Sequence, residues 1–100
     1  MEKNKKIDFS IGIFDDISEN IKKRVKKEAD NCEIYGVGVY SDEIVKNKYK
    51  TSPIRSEEER MNLVKDLEGV DFIFLVDSID VNEIKKIVEK ACKGVLKNRI

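Results

Sequence analysis

Three short apolar runs along the chain predict three β-strands. In residues 7–14 apolar side chains alternate with other residues, which is the period of a strand. Residues 32–40, "CEIYGVGVY", are rich in β-branched and aromatic side chains. Residues 70–76, "VDFIFLV", form a nearly continuous apolar run, which is typical of a parallel strand that is covered on both faces.

Between and after these runs, apolar residues recur at a helical period. One stripe with i, i+4 spacing is formed by Ile17, Ile21, Val25 and Ala29. A capping box of Ser56 and Glu59 opens a second helix, and Gly69 lies where a C-terminal cap is expected. The last stripe, which we interpret as core or dimer packing, consists of Ile84, Ile87, Val88, Ala91, Cys92 and Val95.

The order strand, helix, strand, helix, strand, helix predicts a parallel sheet with right-handed crossovers. We therefore expect the α/β class, as a Rossmann-like three-layer sandwich with a small parallel sheet. Residues 1–100 are expected to form one domain. The polar stretch 46–55, "KNKYKTSPIR", contains the only proline and is predicted to be a mobile loop.

The charge balance argues against nucleic-acid and membrane partners. The 20 Lys and Arg residues equal the 20 Asp and Glu residues, so no global field favours a polyanion. The basic run 21–27, "IKKRVKK", is interpreted as a solvated helix face. No apolar run is long enough for a membrane span and no signal peptide is visible, so we expect a cytoplasmic protein in which Cys32 and Cys92 are reduced and buried.

The sequence contains no histidine. Histidine is the usual proton carrier near neutral pH and the commonest nitrogen ligand of metals. Any catalysis would therefore depend on carboxylates, Lys, Arg, Tyr or Cys.

Three motifs in a fixed order resemble those of a known family. They are "GIFD" at 12–15, "GVYSDEIVKNK" at 38–48 and "PIRSEEERMNLVKDLEGVDFIF" at 53–74. With these motifs the chain resembles the cytidylyltransferases, nucleotidyltransferases that make CDP-choline, CDP-ethanolamine or CDP-glycerol from CTP and a phosphorylated alcohol. The resemblance covers about residues 7–77 and implies a Rossmann-like sheet and, often, a homodimer.

The resemblance implies nucleotide-binding roles for particular positions. The backbone of Gly12, Ile13 and Phe14 would approach the nucleotide phosphates, because glycine permits close contact. Lys48 or Lys50, in the predicted loop, would face the phosphates. Arg60 belongs to the Glu-Arg pair of the third motif. Two plainer interpretations stay open, namely that Gly12 only eases packing and that Arg60 is a helix-surface residue paired with Glu57 or a neighbouring carboxylate.

The chain also departs from the family. The family's His-x-Gly-His motif falls on residues 18–21, "SENI", and the acidic side chains of Asp15, Asp16 and Glu19 would repel a triphosphate there. The later Arg-Thr-x-Gly-Ile-Ser-Thr-like motif has no counterpart after Asp80. Little sequence remains for the fourth strand that flanks the first in the family, so the first strand is expected at a sheet edge, covered by a second subunit or by the C-terminal helix.

Three functional hypotheses follow. The leading one is a cytidylyltransferase-like domain without catalytic residues that acts by binding, as a homodimer or with a protein partner, and binds CTP weakly if at all. The first alternative is an active nucleotidyltransferase with Mg²⁺ on Asp15 or Asp16; no other cofactor is expected. The second alternative is a receiver-like switch in which Asp15 and Asp16 accompany a phospho-accepting Asp77.

Overall fold

The structure is a computed structural model that describes residues 5–99, with side chains described for residues 6–94. It has three strands and four helices in this part of the chain. In chain order they are β1 (Lys5–Gly12), α1 (Glu19–Asp30), β2 (Cys32–Tyr40), α2 (Asp42–Tyr49), α3 (Glu57–Lys65), β3 (Phe72–Val76) and α4 (Val81–Arg99).

The three strands form one parallel sheet in the order β1-β2-β3. The strand β2 is therefore central, and β1 and β3 are edge strands. Helices α1 and α3 cover one face of the sheet and α4 covers the other. The predicted α/β class, a Rossmann-like three-layer sandwich with a small parallel sheet, is confirmed.

Each face of the sheet has its own hydrophobic cluster. The first cluster lies between the sheet and helices α1 and α3, and the predicted stripe of α1 packs into it. The second cluster lies under α4 and includes the predicted stripe as far as Cys92, whereas the side chain of Val95 lies outside the described residues. Both cysteines are buried, as predicted, and neither forms a disulfide within the described residues; Cys32 lies in the first cluster and Cys92 in the second.

Two glycines of β2 make room for two phenylalanine rings of β3. On the face towards α4, a Cβ atom placed on Gly36 would fall within the ring of Phe72, and one placed on Gly38 would fall within the ring of Phe74. The two rings stack with centroids 5.9 Å apart, and the Phe74 ring also meets Phe9 of β1 edge-on. The glycines are therefore required by packing, which explains their presence in a central strand, where glycine is otherwise unfavourable.

The predicted loop at 46–55 is wrong for its first half, because residues 46–49 belong to α2. Ser41 caps this helix by accepting a hydrogen bond from the Ile44 N–H at 3.2 Å. Lys48 thus lies in the last turn of a helix, and Lys50 is its C-cap in the left-handed conformation, with φ of 57°. The loop proper is limited to residues 51–56.

The ends of two further elements also differ from the prediction. The capping box at Ser56 and Glu59 is present, but α3 ends at Lys65 with Asp66 as its C-cap. Gly69 is therefore not a helix cap; with φ of +96° it forms a turn beside Ala29 of α1. The first strand stops at Gly12 because Phe14 adopts a left-handed conformation, with φ of 55°, which no strand accommodates.

The edge position expected for the first strand is confirmed. Residues 81–99 form α4, so the described part of the chain contains no fourth strand beside β1. The expectation that the C-terminal helix covers the edge of β1 is wrong, and its cover by a second subunit stays a prediction. Helix α4 packs on the face of the sheet, against β3. It leaves Ile7 and Phe9 partly uncovered, with 38% and 36% of their surfaces exposed.

Candidate functional site

The candidate site lies at the carboxyl edge of the sheet, where open parallel sheets usually bind ligands. Three connections meet there: residues 13–18 after β1, the turn from β2 into α2, and residues 51–56 before α3. These connections are joined by hydrogen bonds that two arginines donate and one aspartate accepts.

Arg60 is the centre of this arrangement, and none of its side chain is exposed. Its Nη2 forms an ion pair with Oδ1 of Asp42 at 2.6 Å. Its Nη1 donates to the carbonyl oxygens of Ile13, at 2.9 Å, and Tyr40, at 2.8 Å. Its Nε donates to the carbonyl oxygen of Arg55 at 3.1 Å. The guanidinium therefore holds the ends of β1 and β2 and the start of α3 in one arrangement.

Arg60 is buried and is not paired with Glu57, so these two parts of the surface interpretation are wrong, whereas its pairing with another carboxylate is found at Asp42. The carboxylate of Glu57 instead accepts from the backbone N–H of Asp42 at 3.0 Å, while Arg60 takes the Asp42 side chain. Arg60 stands four residues before the buried Val64, on the inward side of α3. Its spacing of four residues from Val64, which places the two side chains on one face of a helix, was the only sequence signal for its burial.

Asp15 binds the loop that precedes α3. Its Oδ2 accepts from the Ile54 N–H at 2.6 Å, and its Oδ1 accepts from the Arg55 N–H at 2.8 Å. The Arg55 guanidinium in turn donates to the Asp15 carbonyl oxygen. The Ile54 N–H is the main cause that lowers the pKa of Asp15 below its ordinary value; the Arg55 N–H adds to the lowering, and burial acts in the opposite direction.

The arrangement does not fit a Mg²⁺ site built on Asp15 and Asp16. Both carboxylate oxygens of Asp15 already accept backbone N–H groups, and the exposed Asp16 accepts from its neighbour Ile17 at 3.0 Å. Among the side chains of residues 6–94, no three from His, Cys, Asp or Glu are grouped so as to hold a metal ion. Magnesium binds through one or two free carboxylates and keeps near-octahedral geometry. We therefore assign no chemistry to a metal here.

Within the first motif, Phe14 packs against Gly12. The buried ring of Phe14 folds back against Gly12, so that a Cβ atom on Gly12 would lie 2.9 Å from Cε2 of that ring. The Ile13 carbonyl is held by Arg60. This contact gives the packing interpretation of Gly12 a physical basis, and phosphate contact by residues 12–14 stays a prediction.

The two candidate lysines differ in their surroundings. Nζ of Lys48 donates to the Tyr40 hydroxyl at 3.3 Å and lies 5.0 Å and 5.6 Å from the ring centroids of Tyr40 and Tyr49. The hydrogen bond that Lys48 donates to the Tyr40 hydroxyl raises the pKa of Lys48 and so favours its charged form. A cavity of about 350 Å³ beside it is also lined by Ile44, Asn47 and Ile79. Lys50 is exposed.

The residues on which the family's His-x-Gly-His motif falls have ordinary roles in α1, and the two histidine positions are Ser18 and Ile21. Ile21 packs against the first hydrophobic cluster. Ser18 is the N-cap of α1, where its side chain accepts from the Ile21 N–H at 3.3 Å. Glu19 is exposed and forms an i, i+3 ion pair with Lys22 at 3.2 Å. Both side chains are thus used to begin α1.

The order of the strands contradicts the receiver-like hypothesis. Receiver domains have the order 2-1-3-4-5, in which the first and third strands are neighbours. Here β2 separates β1 from β3. Asp77, directly after β3, is therefore a full strand away from the loop that holds Asp15 and Asp16.

Comparisons with known proteins support the fold. No family model matches the sequence, and no curated protein matches it. The chain is similar to the crystal structure of the lipopolysaccharide core biosynthesis protein from Thermoplasma volcanium GSS1, with a TM-score of 0.73 and 24% identity. The similarity covers 84% of this chain and 66% of that one. At this identity the likeness shows the fold alone, and membership of the cytidylyltransferase family stays a prediction from the three motifs.

None of the helices within residues 5–99 combines the length and apolar character that a membrane span requires.

Sequence reasoning missed two residues of this site, Arg55 and Asp42. Arg55 contributes its backbone N–H, its carbonyl oxygen and its guanidinium to the contacts described above. Asp42 provides the only carboxylate that pairs with Arg60 among the described residues. One weak signal existed for Asp42, because it directly follows the helix-capping Ser41 at the end of a predicted strand.

Asp15→Asn is expected to weaken the fold in a pH-dependent way. The folded pKa of Asp15 lies below the ordinary value of 3.8, so its ionised form stabilises the protein above that pH, and the contribution is lost as the pH falls through the folded pKa. Urea unfolding at pH 6 should show a loss of about 1–2 kcal/mol. The difference from the unmodified protein should shrink below pH 3.8.

The matched control is Asp16→Asn, because Asp16 is exposed and accepts only a hydrogen bond from its neighbour. Its effect on stability at pH 6 should stay within about 0.5 kcal/mol. A pH-independent effect of Asp15→Asn would show that the charge of Asp15 does not act through the Ile54 and Arg55 N–H groups.

Proposed function

We propose that this protein is a cytidylyltransferase-like domain that acts by binding and does not transfer nucleotides. The proposal rests on the groups to which the two arginines of the site donate their hydrogen bonds. Arg60 is buried and donates only to protein oxygens, and the guanidinium of Arg55 donates to the Asp15 carbonyl oxygen. Nucleotidyl transfer depends on positive charge positioned at the reacting phosphates. Here that charge holds the three connections together.

The start of α1 supports the same proposal. Where the family places its two imidazoles, this chain has Ser18, which caps the helix, and Ile21, which packs against the first hydrophobic cluster. Glu19, between them, pairs with a surface lysine. The helix dipole favours an anion at this end, and Glu19 already provides one. A triphosphate would meet this negative charge, so CTP is proposed as a weak ligand at most.

The proposed role is that of a binding or dimerisation module in the cytoplasm, with a second copy or another protein as partner. If CTP binds, the proposed contacts are the backbone of Gly12, Ile13 and Phe14 together with Lys48 or Lys50. Arg60 is then a positioning residue, because it holds the Ile13 carbonyl at this loop. The solved relative is named for lipopolysaccharide core biosynthesis, and a role near biosynthetic enzymes is compatible with this proposal.

A transfer assay tests the proposal. The purified protein is incubated with CTP, Mg²⁺ and, in separate reactions, phosphocholine, phosphoethanolamine or glycerol phosphate. We expect no turnover above the rate without protein. Turnover that Lys48→Ala or Lys50→Ala abolishes, and that the control Lys90→Ala retains, would overturn the proposal and support the active-enzyme alternative.

Calorimetry with CTP and Mg²⁺ at millimolar concentration separates the two hypotheses a second time. The binding-module proposal predicts heat that is weak or absent. Strong binding that requires Mg²⁺ would contradict both the proposal and our conclusion that Asp15 and Asp16 do not fit this ion.

A further inference from the structure

The ammonium group of Lys48 is positioned by two tyrosines and not by an acidic side chain. Its Nζ donates to the Tyr40 hydroxyl at 3.3 Å and lies over the rings of Tyr40 and Tyr49, 5.0 Å and 5.6 Å from their centroids. Aromatic rings attract a cation but do not neutralise its charge. None of the ion pairs among the described residues includes Lys48. A positioned and unpaired positive charge is therefore present at the end of α2.

Beside this ammonium group lies a cavity of about 350 Å³. Helix α2 contributes Ile44, Asn47 and Lys48 to its lining, and the connection from β3 to α4 contributes Ile79. Small-molecule sites typically have volumes of about 300 Å³ or more, with apolar walls and a few polar groups that orient the ligand. This cavity combines two apolar side chains with one amide and one cation.

The apolar wall on the β3 side is formed by Ile79, of which 72% is exposed. Local hydrogen bonds hold the chain on its C-terminal side. The Ser78 hydroxyl accepts from the Asp80 N–H at 3.1 Å, and Oδ1 of Asp80 accepts from the Asn82 N–H at 2.8 Å. The Asp80 carboxylate is thus used to begin α4, and it does not line the cavity. The apolar surface of Ile79 is therefore held where a ligand can contact it.

This cavity is separate from the loop at which CTP contacts are proposed. That loop follows β1, whereas the cavity lies between elements that follow β2 and β3, and β2 separates β1 from β3. Neither Gly12 nor the connection 13–18 contributes to the described lining of the cavity. Of the two lysines proposed for CTP, Lys48 thus lines a different site, and Lys50 is left for that role.

We propose that this cavity, called here the Lys48 site, binds a small aromatic carboxylate. The carboxylate would pair with Nζ of Lys48 and accept from the Asn47 amide, while the ring would pack between Ile44 and Ile79. One unpaired cation matches the single negative charge of such a ligand. Tyr49, with 45% of its surface exposed, favours an aromatic body because ring contacts add to apolar burial. The inference goes beyond the proposed function, because it names a ligand class and a site that CTP does not use.

A titration followed by two-dimensional amide NMR tests the proposal with four probes. Benzoate has both the ring and the charge, benzamide has the ring without the charge, and acetate and inorganic phosphate have charge without the ring. We expect benzoate to bind with a dissociation constant on the order of 1 mM. Its shifts should be confined to residues 44–49 and 78–80. The other three probes should bind at least about five-fold more weakly.

Four variants locate the binding. Lys48→Gln removes the charge and Ile79→Ser removes the apolar wall, so each should weaken benzoate binding about five-fold. Lys48→Arg keeps a cation that can lie over aromatic rings, and its affinity should stay within about two-fold. The matched control is Lys46→Gln, because Lys46 is an exposed lysine of the same helix that lines another cavity. It should leave the affinity unchanged. Circular dichroism verifies that each variant is folded.

Several results would overturn the proposal. One is the absence of shifts at a benzoate concentration about ten times the expected dissociation constant. Another is an affinity that Lys48→Gln leaves unchanged, and a third is equal affinity for acetate or phosphate, since the ring would then take no part. Shifts of residues 44–49 and 78–80 on dilution without any probe would show that a second copy covers this surface, which would also contradict the Lys48 site.

The failure of this proposal can be distinguished from that of the non-catalytic role. If benzoate does not bind and no turnover is found, the Lys48 site is removed and the non-catalytic role is intact. Turnover that Lys50→Ala abolishes and Lys48→Ala retains would remove the non-catalytic role and leave the Lys48 site intact. Turnover that Lys48→Ala abolishes would contradict both.

Discussion

Replacing Arg60 with methionine is expected to lower the free energy of unfolding by about 3–5 kcal/mol, because three backbone carbonyl oxygens lose the donors of the buried guanidinium, at about 1–3 kcal/mol for each group left unsatisfied. The Asp42 carboxylate is half-exposed, so water can replace its partner. Methionine has similar length but no donors. Asp42 would lose its partner, and the carbonyl oxygens of Ile13, Tyr40 and Arg55 would lose theirs. Three separate parts of the chain would therefore lose their common anchor.

Urea unfolding followed by circular dichroism measures this effect. Arg24→Met on the exposed side of α1 is the matched control and should change stability by no more than about 0.5 kcal/mol. Arg60→Lys keeps the positive charge but has fewer donors than a guanidinium. Its loss of stability should therefore fall between the losses of Arg24→Met and Arg60→Met. A loss below about 1 kcal/mol for Arg60→Met would mean that water replaces the guanidinium, and the central role assigned to Arg60 would be wrong.

Gly36→Ala is expected to destabilise the protein by about 2–3 kcal/mol, the upper part of the range of about 1–3 kcal/mol for adding a methyl group to a tightly packed core. The new methyl group would fall within the ring of Phe72. Gly36 pairs with Phe9 on one side and with Phe72 on the other. Because β2 is hydrogen-bonded along both edges, its backbone cannot move away without breaking a ladder.

Two comparisons make this result specific. Gly94→Ala places the same methyl group in open space on α4, and it should stabilise the protein by roughly 0.5–1 kcal/mol because alanine is the better helix residue. Phe72→Leu removes the ring that the methyl group meets. The loss in the double variant Gly36→Ala/Phe72→Leu should therefore be smaller than the sum of the two single losses. Strict additivity would show that the methyl group is accommodated elsewhere.

Much of the fold was predictable because it depends on local periods. The bounds of β2 agree with the apolar run at 32–40, and the stripes of α1 and α4 pack where a helical period places them. The capping box at Ser56 and Glu59 is a signal contained in four consecutive residues. Such features need no knowledge of the rest of the chain.

Helix α2 was missed because its sequence carries little periodicity. Its eight residues include a single buried side chain, Val45, and most of the others are polar. The helix is stabilised by the Ser41 cap and by the Glu57 carboxylate, which accepts the Asp42 N–H from fifteen residues away. The order of the strands could not be predicted from local sequence patterns either, and it is this order that contradicts the receiver-like hypothesis.

The site was predictable only as a set of candidates. Arg60 and Asp15 were among the candidate residues, but most of the backbone groups that they bind are far away in sequence. Apart from the Arg55 carbonyl, which is five residues from Arg60, these groups lie 20 to 47 residues from their partner. Several of these partners are backbone carbonyls and N–H groups. Every residue offers such groups, so no residue type marks the ones that a buried arginine will reach.

The two cysteines lie on opposite faces of the sheet, so their reaction with thiol reagents can report the opening of each layer separately. Cys32 is buried with α1, and Cys92 is buried beneath α4. A thiol reagent reaches a buried cysteine only when the surrounding structure opens. The masses of singly and doubly labelled molecules therefore record whether the two layers separate one after the other or open together, without any engineered probe.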